Sequence, residues 1–387
     1  MKLIKTLFKN IIFLLDKVII KDNIIIFTSF KEGTDNSYAL YKYLLKNSYN
    51  YKFVWIKDPK NKDKSENKNL EIYSYKSIKG IYYYLKSRYI FGTHGLYKYF
   101  PKNKNRIRIN LWHGMPLKPI GNLDKRVRKE IKSEDDFIIS TSDYFQSIMS
   151  KAFGVSREKV IVTGQPRNDL LFEKTNFYEK YGIIIEAFSK ALIWLPTFRS
   201  SVVDLGINNV MNDGDFKQNY LSVVPFDKLE ELNNLLKKKN FLLIIKLHPF
   251  DRLQKEKFKD FSNIIILKNK DLEKIDEQLY SLLGSTDALI TDYSSVWIDY
   301  EILNKPIFFA IDDYEDYKNT RGLLFEDFTR ISPYPVIKDY NELIEFIKNY
   351  ENIDLNKKKI TDKYNKYKDN KSCERIIKHL GISKNEK

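Results

Sequence analysis

Strand-length apolar runs alternate with helical patterns along almost the whole chain, and that alternation dictates parallel sheets covered by helices. In the first half the runs are residues 23–29 (NIIIFTS), 52–56, 88–91, 106–112 (RIRINLW), 136–141 (DFIIST) and 159–163 (KVIVT). The second half repeats the style at 190–195 (KALIWL), 241–247 (FLLIIKL), 263–267 (NIIIL), 286–291 (TDALIT) and 306–311 (PIFFAI). Helical periodicity is clearest at 36–47, 142–152, 227–239, 272–283 and 295–304. A chain of 387 residues, 43% of them hydrophobic, has material for two cores. We therefore expect an α/β protein with a break near 170–188, dividing it into domains over 23–180 and 181–387 behind a separate segment 1–22. The polar stretch 57–69 reads as a surface loop and 204–224 as a functional loop or lid. The Lys-rich segment 354–380 reads as helical and able to pack back across the domain boundary.

Charge narrows the choice of partners. A net charge of +16 asks for an acidic partner, whether nucleic acid, anionic lipid or a phosphorylated substrate, although solvated Lys on helix faces accounts for part of it. The single cysteine, Cys373, excludes an intramolecular disulfide framework and argues against a structural zinc site. No apolar stretch is long enough to span a bilayer. Residues 3–20 come nearest. Wound as a helix they place Lys2, Lys5, Lys9 and Asp16 on one face, with Ile4, Leu7, Phe8, Ile11, Leu14, Leu15 and Val18 on the other and Lys17 the one misfit. That pattern suits an amphipathic helix lying in the headgroup region of a membrane, or a helix packing on its own domain.

In open parallel sheets ligands bind beyond the carboxyl ends of strands, so the residues that close each apolar run are the candidates. His113 follows the run ending at Leu111, and Gly114 and Pro116 turn the chain away, leaving the imidazole free to act as a base near neutral pH. His248 closes FLLIIKL and is placed to stabilise a phosphate. Asp292, Ser294 and Ser295 stand between the strand DALIT and a helix, where side-chain capping and phosphate binding by free N–H groups are compatible roles. Thr197 and Arg199 follow the strand at 190–195, and Arg321 precedes Gly322. An Arg fork grips phosphate oxygens well. The turn GQPRND at 164–169 reads as more structural than catalytic. No Walker or dinucleotide-fingerprint glycine loop appears, which disfavours ATP hydrolysis and nicotinamide chemistry. The Asp pairs at 135–136 and 312–313 lack a convincing metal-site context, so no metal-ligating residue is named and no cofactor is expected, while a divalent-metal requirement stays open.

Taken in order, WHGMPLK, GQPRND, LPTFR, KLHP and ITDYSSVWIDYEILNKPIFF followed by RG resemble the CDP-glycerol glycerophosphotransferases, the primases and polymerases of teichoic acids and related capsules. The opening TSFKEGTDNSYALYKYL also looks like that family, with Gly33, Asp35 and Asn36 matching. The resemblance implies a GT-B fold, two Rossmann-like domains with parallel sheets facing a cleft, an N-terminal acceptor domain and a C-terminal CDP-polyol domain. It implies His113 as base on the acceptor hydroxyl and His248, Ser294, Ser295 and Arg321 around the pyrophosphate, with Asp35, Asn36, Thr197, Arg199 and Asp292 as further substrate-binding candidates. It also implies CDP-glycerol as donor, a lipid-linked polymer acceptor, and peripheral attachment at the cytoplasmic face of an anionic membrane. Met115 stands where Thr or Ala is frequent, so the choice between primase and polymerase stays open. CDP-ribitol or another CDP-polyol is the nearest alternative donor. A non-catalytic basic protein binding membrane or nucleic acid is the distant one, and no RNA-binding signature supports it.

Overall fold

The computed structural model describes residues 2–30, 33–57, 70–94, 103–197, 203–204, 210–211, 220–247, 260–324, 331–354 and 363–384. The chain divides into two compact units. The first takes Met1–Met115, Gly121–Phe172 and Lys366–Lys387, and the second takes Pro116–Ile120 and Glu173–Asn365. The main boundary therefore falls at Phe172 rather than at 180, and the C-terminal segment belongs to the first unit rather than the second.

Seven parallel strands form the sheet of the first unit: β1 (Ile24–Thr28), β2 (Lys52–Lys57), β3 (Ile72–Ser74), β4 (Tyr89–Gly92), β5 (Ile107–Asn110), β6 (Phe137–Ser140) and β7 (Val160–Val162). Their order is β3-β2-β1-β4-β5-β6-β7, so the winding reverses between β1 and β4. β1 is buried at every position, as expected of a strand with both faces covered. Ile25 and Phe27 face a core closed by Leu40 and Leu44 of the helix Asp35–Lys46 and by Cys373, Ile376 and Ile377 of the helix Ser372–His379. That apolar stripe is why the C-terminal helix returns to the first sheet. Ile24 and Ile26 face the opposite core, with Ile12 of the N-terminal helix and Tyr84 and Leu85 of the helix Ile78–Lys86.

The N-terminal helix Lys2–Val18 is held by a buried ion cluster as well as by Ile12. Asp16 is 2% exposed and receives both Nη atoms of Arg106, at 2.6 and 3.0 Å, and Lys21 Nζ at 2.8 Å. Arg106, equally buried, also stacks its guanidinium over Tyr84 at 4.0 Å. The Asp16 side of the helix is thus turned inward with Ile12, while Ile11, Leu14, Leu15 and Val18 are exposed. Among the described residues no helix is long and apolar enough to cross a membrane.

In the second unit, β8 (Lys190–Leu195) is followed by two short antiparallel pairs, β9 (Val203–Asp204) with β10 (Val210–Met211) and β11 (Tyr220–Leu221) with β12 (Val224–Pro225). Then come β13 (Phe241–Lys246), β14 (Ile264–Leu267), β15 (Ala288–Thr291) and β16 (Ile307–Phe309). The main sheet is parallel in the order β14-β13-β8-β15-β16, reversing between β8 and β15. Helix Leu229–Lys239 covers it through Leu232 and Leu236, and helix Tyr340–Asn349 through Leu343 and Ile347.

Three expectations change. The helix read at 272–283 is two, Asn269–Lys274 and Leu279–Ser285, because Asp276 takes the left-handed conformation (φ 50°). The helix read at 295–304 is Val296–Tyr300 plus a tighter turn to Leu303, ended by Asn304 at φ 53°. The helix Tyr314–Arg321 stands where no helix was expected. Residues 58–69, 205–209 and 212–219 of the two expected loops lie outside the described residues.

Candidate active site

The first unit gathers its chemistry where its sheet reverses. Asp35 and Asn36 follow β1, Thr93 and His94 follow β4, and His113 follows β5. Carboxyl ends beside a switch point are where ligands enter such sheets.

His113 Nδ1 lies 3.3 Å from the carbonyl oxygen of Thr93. A carbonyl can only accept, so the proton sits on Nδ1 and the lone pair on Nε2. The turn is held in an uncommon shape, with Trp112 at φ 48°. Asn36, 0% exposed, supplies the restraint. Its amide nitrogen donates to the carbonyls of Leu111 (2.9 Å) and Trp112 (3.0 Å) and to Gln165 Oε1 (3.3 Å), and its oxygen accepts from the Arg167 backbone N–H at 3.1 Å. Asn36 consequently has no exposed surface for a substrate; it holds the turn that carries His113 instead. Arg167 Nη1 bridges Asp35 Oδ1 (2.7 Å) and the carbonyl of His113 (3.0 Å). Asp35, itself at φ 61°, is the carboxylate whose field reaches both imidazoles.

Aromatic rings flank His113. His94 stacks on it in parallel (centroids 4.8 Å apart, planes 7° apart), and Trp112 lies against it at 4.0 Å. Phe153 meets Trp112 edge-on at 4.9 Å, and Phe30 lies 5.7 Å from His94. Both histidines are nevertheless exposed, each with one ring face against a neighbour. Dehydration among these rings lowers the His113 pKa below its ordinary 6.5; Asp35 and the Thr93 carbonyl oppose the shift, and Arg167 adds to it. His94 is pushed down to about 4, first by dehydration and then by repulsion from His113, with Asp35 opposing. At neutral pH both rings are therefore uncharged, and His113 is available as a base. Gln165 and Arg167 belong to the turn read as more structural than catalytic, whereas His94 was not singled out from the sequence. His94 carried the same signal as His113, a histidine and a glycine just past an apolar run (FGTHG).

The second unit uses the same logic at its own reversal. Asp292, 0% exposed, accepts from the backbone N–H of Thr197 (2.8 and 3.0 Å) and bonds the Thr197 hydroxyl. The two residues tie the ends of β8 and β15 together, which occupies groups assigned to a substrate from the sequence. Ser294 and Ser295 remain partly exposed, and Ser295 makes no side-chain cap bond. The helix they precede is only five residues long, so its dipole is modest. Arg321 ends the helix Tyr314–Arg321, and Gly322 at φ 72° passes close to Pro119, whose Cγ would lie 3.4 Å from an added Cβ. Leu324 N–H donates to the Leu117 carbonyl at 2.8 Å, so part of the WHGMPLK segment packs beside the Arg-Gly turn within this unit. His248 and Arg199 lie outside the described residues, as does the side chain of Arg321. Among the described residues no group of three or more His, Cys, Asp or Glu is placed to hold a metal ion.

Known proteins resemble this chain in sequence and fold. Residues 9–381 match the family CDP-glycerol:poly(glycerophosphate) glycerophosphotransferase. The chain belongs to that family. A teichoic acid poly(glycerol phosphate) polymerase of Bacillus spizizenii is 30% identical over 357 residues, covering 85% of each chain. A teichoic acid poly(ribitol-phosphate) polymerase of the same organism is 28% identical over 366 residues, 87% of this chain and 53% of that one. A solved structure of the wall teichoic acid polymerase TagF matches with a TM-score of 0.71 at 25% identity, covering 97% of this chain and 93% of that one. The fold is of GT-B type, with two α/β units built on parallel sheets.

Proposed function

We propose that this glycerophosphotransferase moves glycerol phosphate from CDP-glycerol to a hydroxyl of a teichoic-acid-like polymer and releases CMP. The observation that carries the mechanism is His113, with Nδ1 committed to the Thr93 carbonyl and Nε2 left with its lone pair. Nε2 takes the proton from the acceptor hydroxyl. That oxygen bonds to the β-phosphorus, the bridging P–O bond breaks, and CMP leaves with the electron pair. Phosphoryl-type transfer depends mainly on position and charge stabilisation. We assign that stabilisation to His248, Arg321, Ser294 and Ser295, on their motif positions, and the step uses no cofactor beyond its donor.

The finer parts of the reading concern acceptor and place. A lipid-linked acceptor at the cytoplasmic membrane surface fits the outward-turned Ile11, Leu14, Leu15 and Val18 and the net charge of +16. Ribitol phosphate is the second reading, favoured by the likeness to a ribitol-phosphate polymerase. Incubation with CDP-glycerol or CDP-ribitol and a lipid-linked glycerol-phosphate acceptor, with CMP followed by chromatography, separates the two. CMP from CDP-glycerol is expected; none above background from either donor would refute the transfer.

A further inference from the structure

We infer that His94 is a second positioning residue of the reaction, a neutral ring stacked on the base that, together with Thr93, fixes the base's tautomer and keeps water off its face. This rests on the reading of His113 as the base. Thr93 is fully buried and touches both imidazoles: its carbonyl faces His113 Nδ1 at 3.3 Å and its hydroxyl lies 2.8 Å from His94 Nδ1. One residue at the end of β4 therefore fixes both rings at once. Thr93 is itself anchored, because its N–H donates to the Thr28 carbonyl at 3.1 Å, across to β1. The Thr28 hydroxyl in turn reaches the His94 carbonyl at 3.4 Å. The rings are nearly coplanar in orientation, 7° apart, so His94 covers one face of His113 while Trp112 lies against it at 4.0 Å.

Covering the ring matters for a base that must pick up a proton and give it away. A histidine whose face is wet stabilises its own cation and becomes a slower acceptor near its pKa; a covered one stays neutral to lower pH. The charged groups facing His113 are Asp35 from the helix after β1, which favours the cation, and Arg167 from the turn after β7, which opposes it. His94 adds no charge of its own, because once His113 is protonated the repulsion between the stacked rings disfavours a second proton. His94 thus acts through His113 rather than on the substrate.

The test uses the full chain with His94→Gln, which removes the stacked ring, and His94→Phe, which keeps a ring. Two quantities are read: the pH dependence of kcat/KM for CMP release, and the His113 pKa from NMR of histidine-labelled protein. For His94→Gln the acid limb and the NMR pKa should both move up toward 6.5 by about half a unit to one unit. Activity at pH 6 then falls by about 2- to 3-fold, with little change at pH 8. His94→Phe should keep the wild-type limb. Unchanged limbs and pKa values in both folded variants would overturn the inference, as would a limb displaced in His94→Phe as far as in His94→Gln. Failure of the base reading is distinguishable: His113→Asn would then stay active, while the NMR pKa of His113 would still report whether His94 covers it.

Discussion

Replacing Asn36 by alanine should uncouple the base from the sheet, and the cost follows from its bonds. Two amide hydrogens serve three acceptors, the carbonyls of Leu111 and Trp112 and Gln165 Oε1, while the oxygen holds the Arg167 N–H. That is three effective hydrogen bonds, each contributing about 1 kcal/mol net, so about 3 kcal/mol in all. The buried Arg167 N–H left behind adds to the loss, bringing the expected destabilisation to about 3–4 kcal/mol. Urea unfolding followed by tryptophan fluorescence reads this directly. With Trp112 released from its φ of 48°, His113 drifts from its position, and a displacement of about 1 Å costs about 10²-fold in kcat. The loss should fall on kcat rather than KM, because Asn36 has no surface exposed to substrate. Stability within about 0.5 kcal/mol of wild type, with kcat unchanged, would refute the reasoning.

Two further outcomes follow from the N-terminal helix. Leu14→Glu with Val18→Glu places charge on its exposed apolar face; cosedimentation with anionic phospholipid vesicles should drop several-fold, while CMP release from a soluble acceptor is retained. Asp16→Ala leaves Arg106 and Lys21 buried without their carboxylate, and unfolding free energy should fall by about 3–5 kcal/mol in a denaturant titration.

Strands were legible because each is an apolar run of the right length ending in a turn residue, and the run at 190–195 matches β8 at both ends. β3 was not, since three half-buried residues make no periodic signal. Helix 272–283 was overread because the left-handed turn at Asp276 leaves the apolar spacing unbroken. Strand-end reasoning singled out His113 as a candidate, and the structure places it at the end of β5 beside the sheet's reversal. It could not foresee that Asn36 and Asp292 would be consumed inside the protein, because both bond to groups far away in sequence. The docking of the C-terminal helix on the first sheet is equally a long-range fact.

The central claim is that Nε2 of His113 removes the acceptor's proton. Single-turnover CMP release, measured from pH 5 to 8 for wild type and for His113→Asn, tests it. Protonation silences the base, so the wild-type rate should rise with pH through a midpoint below 6.5 and level off near neutrality. The variant should be slower by about 10²- to 10⁴-fold across the plateau. A variant turning over within a few-fold of wild type, with the same acid limb, would contradict the account.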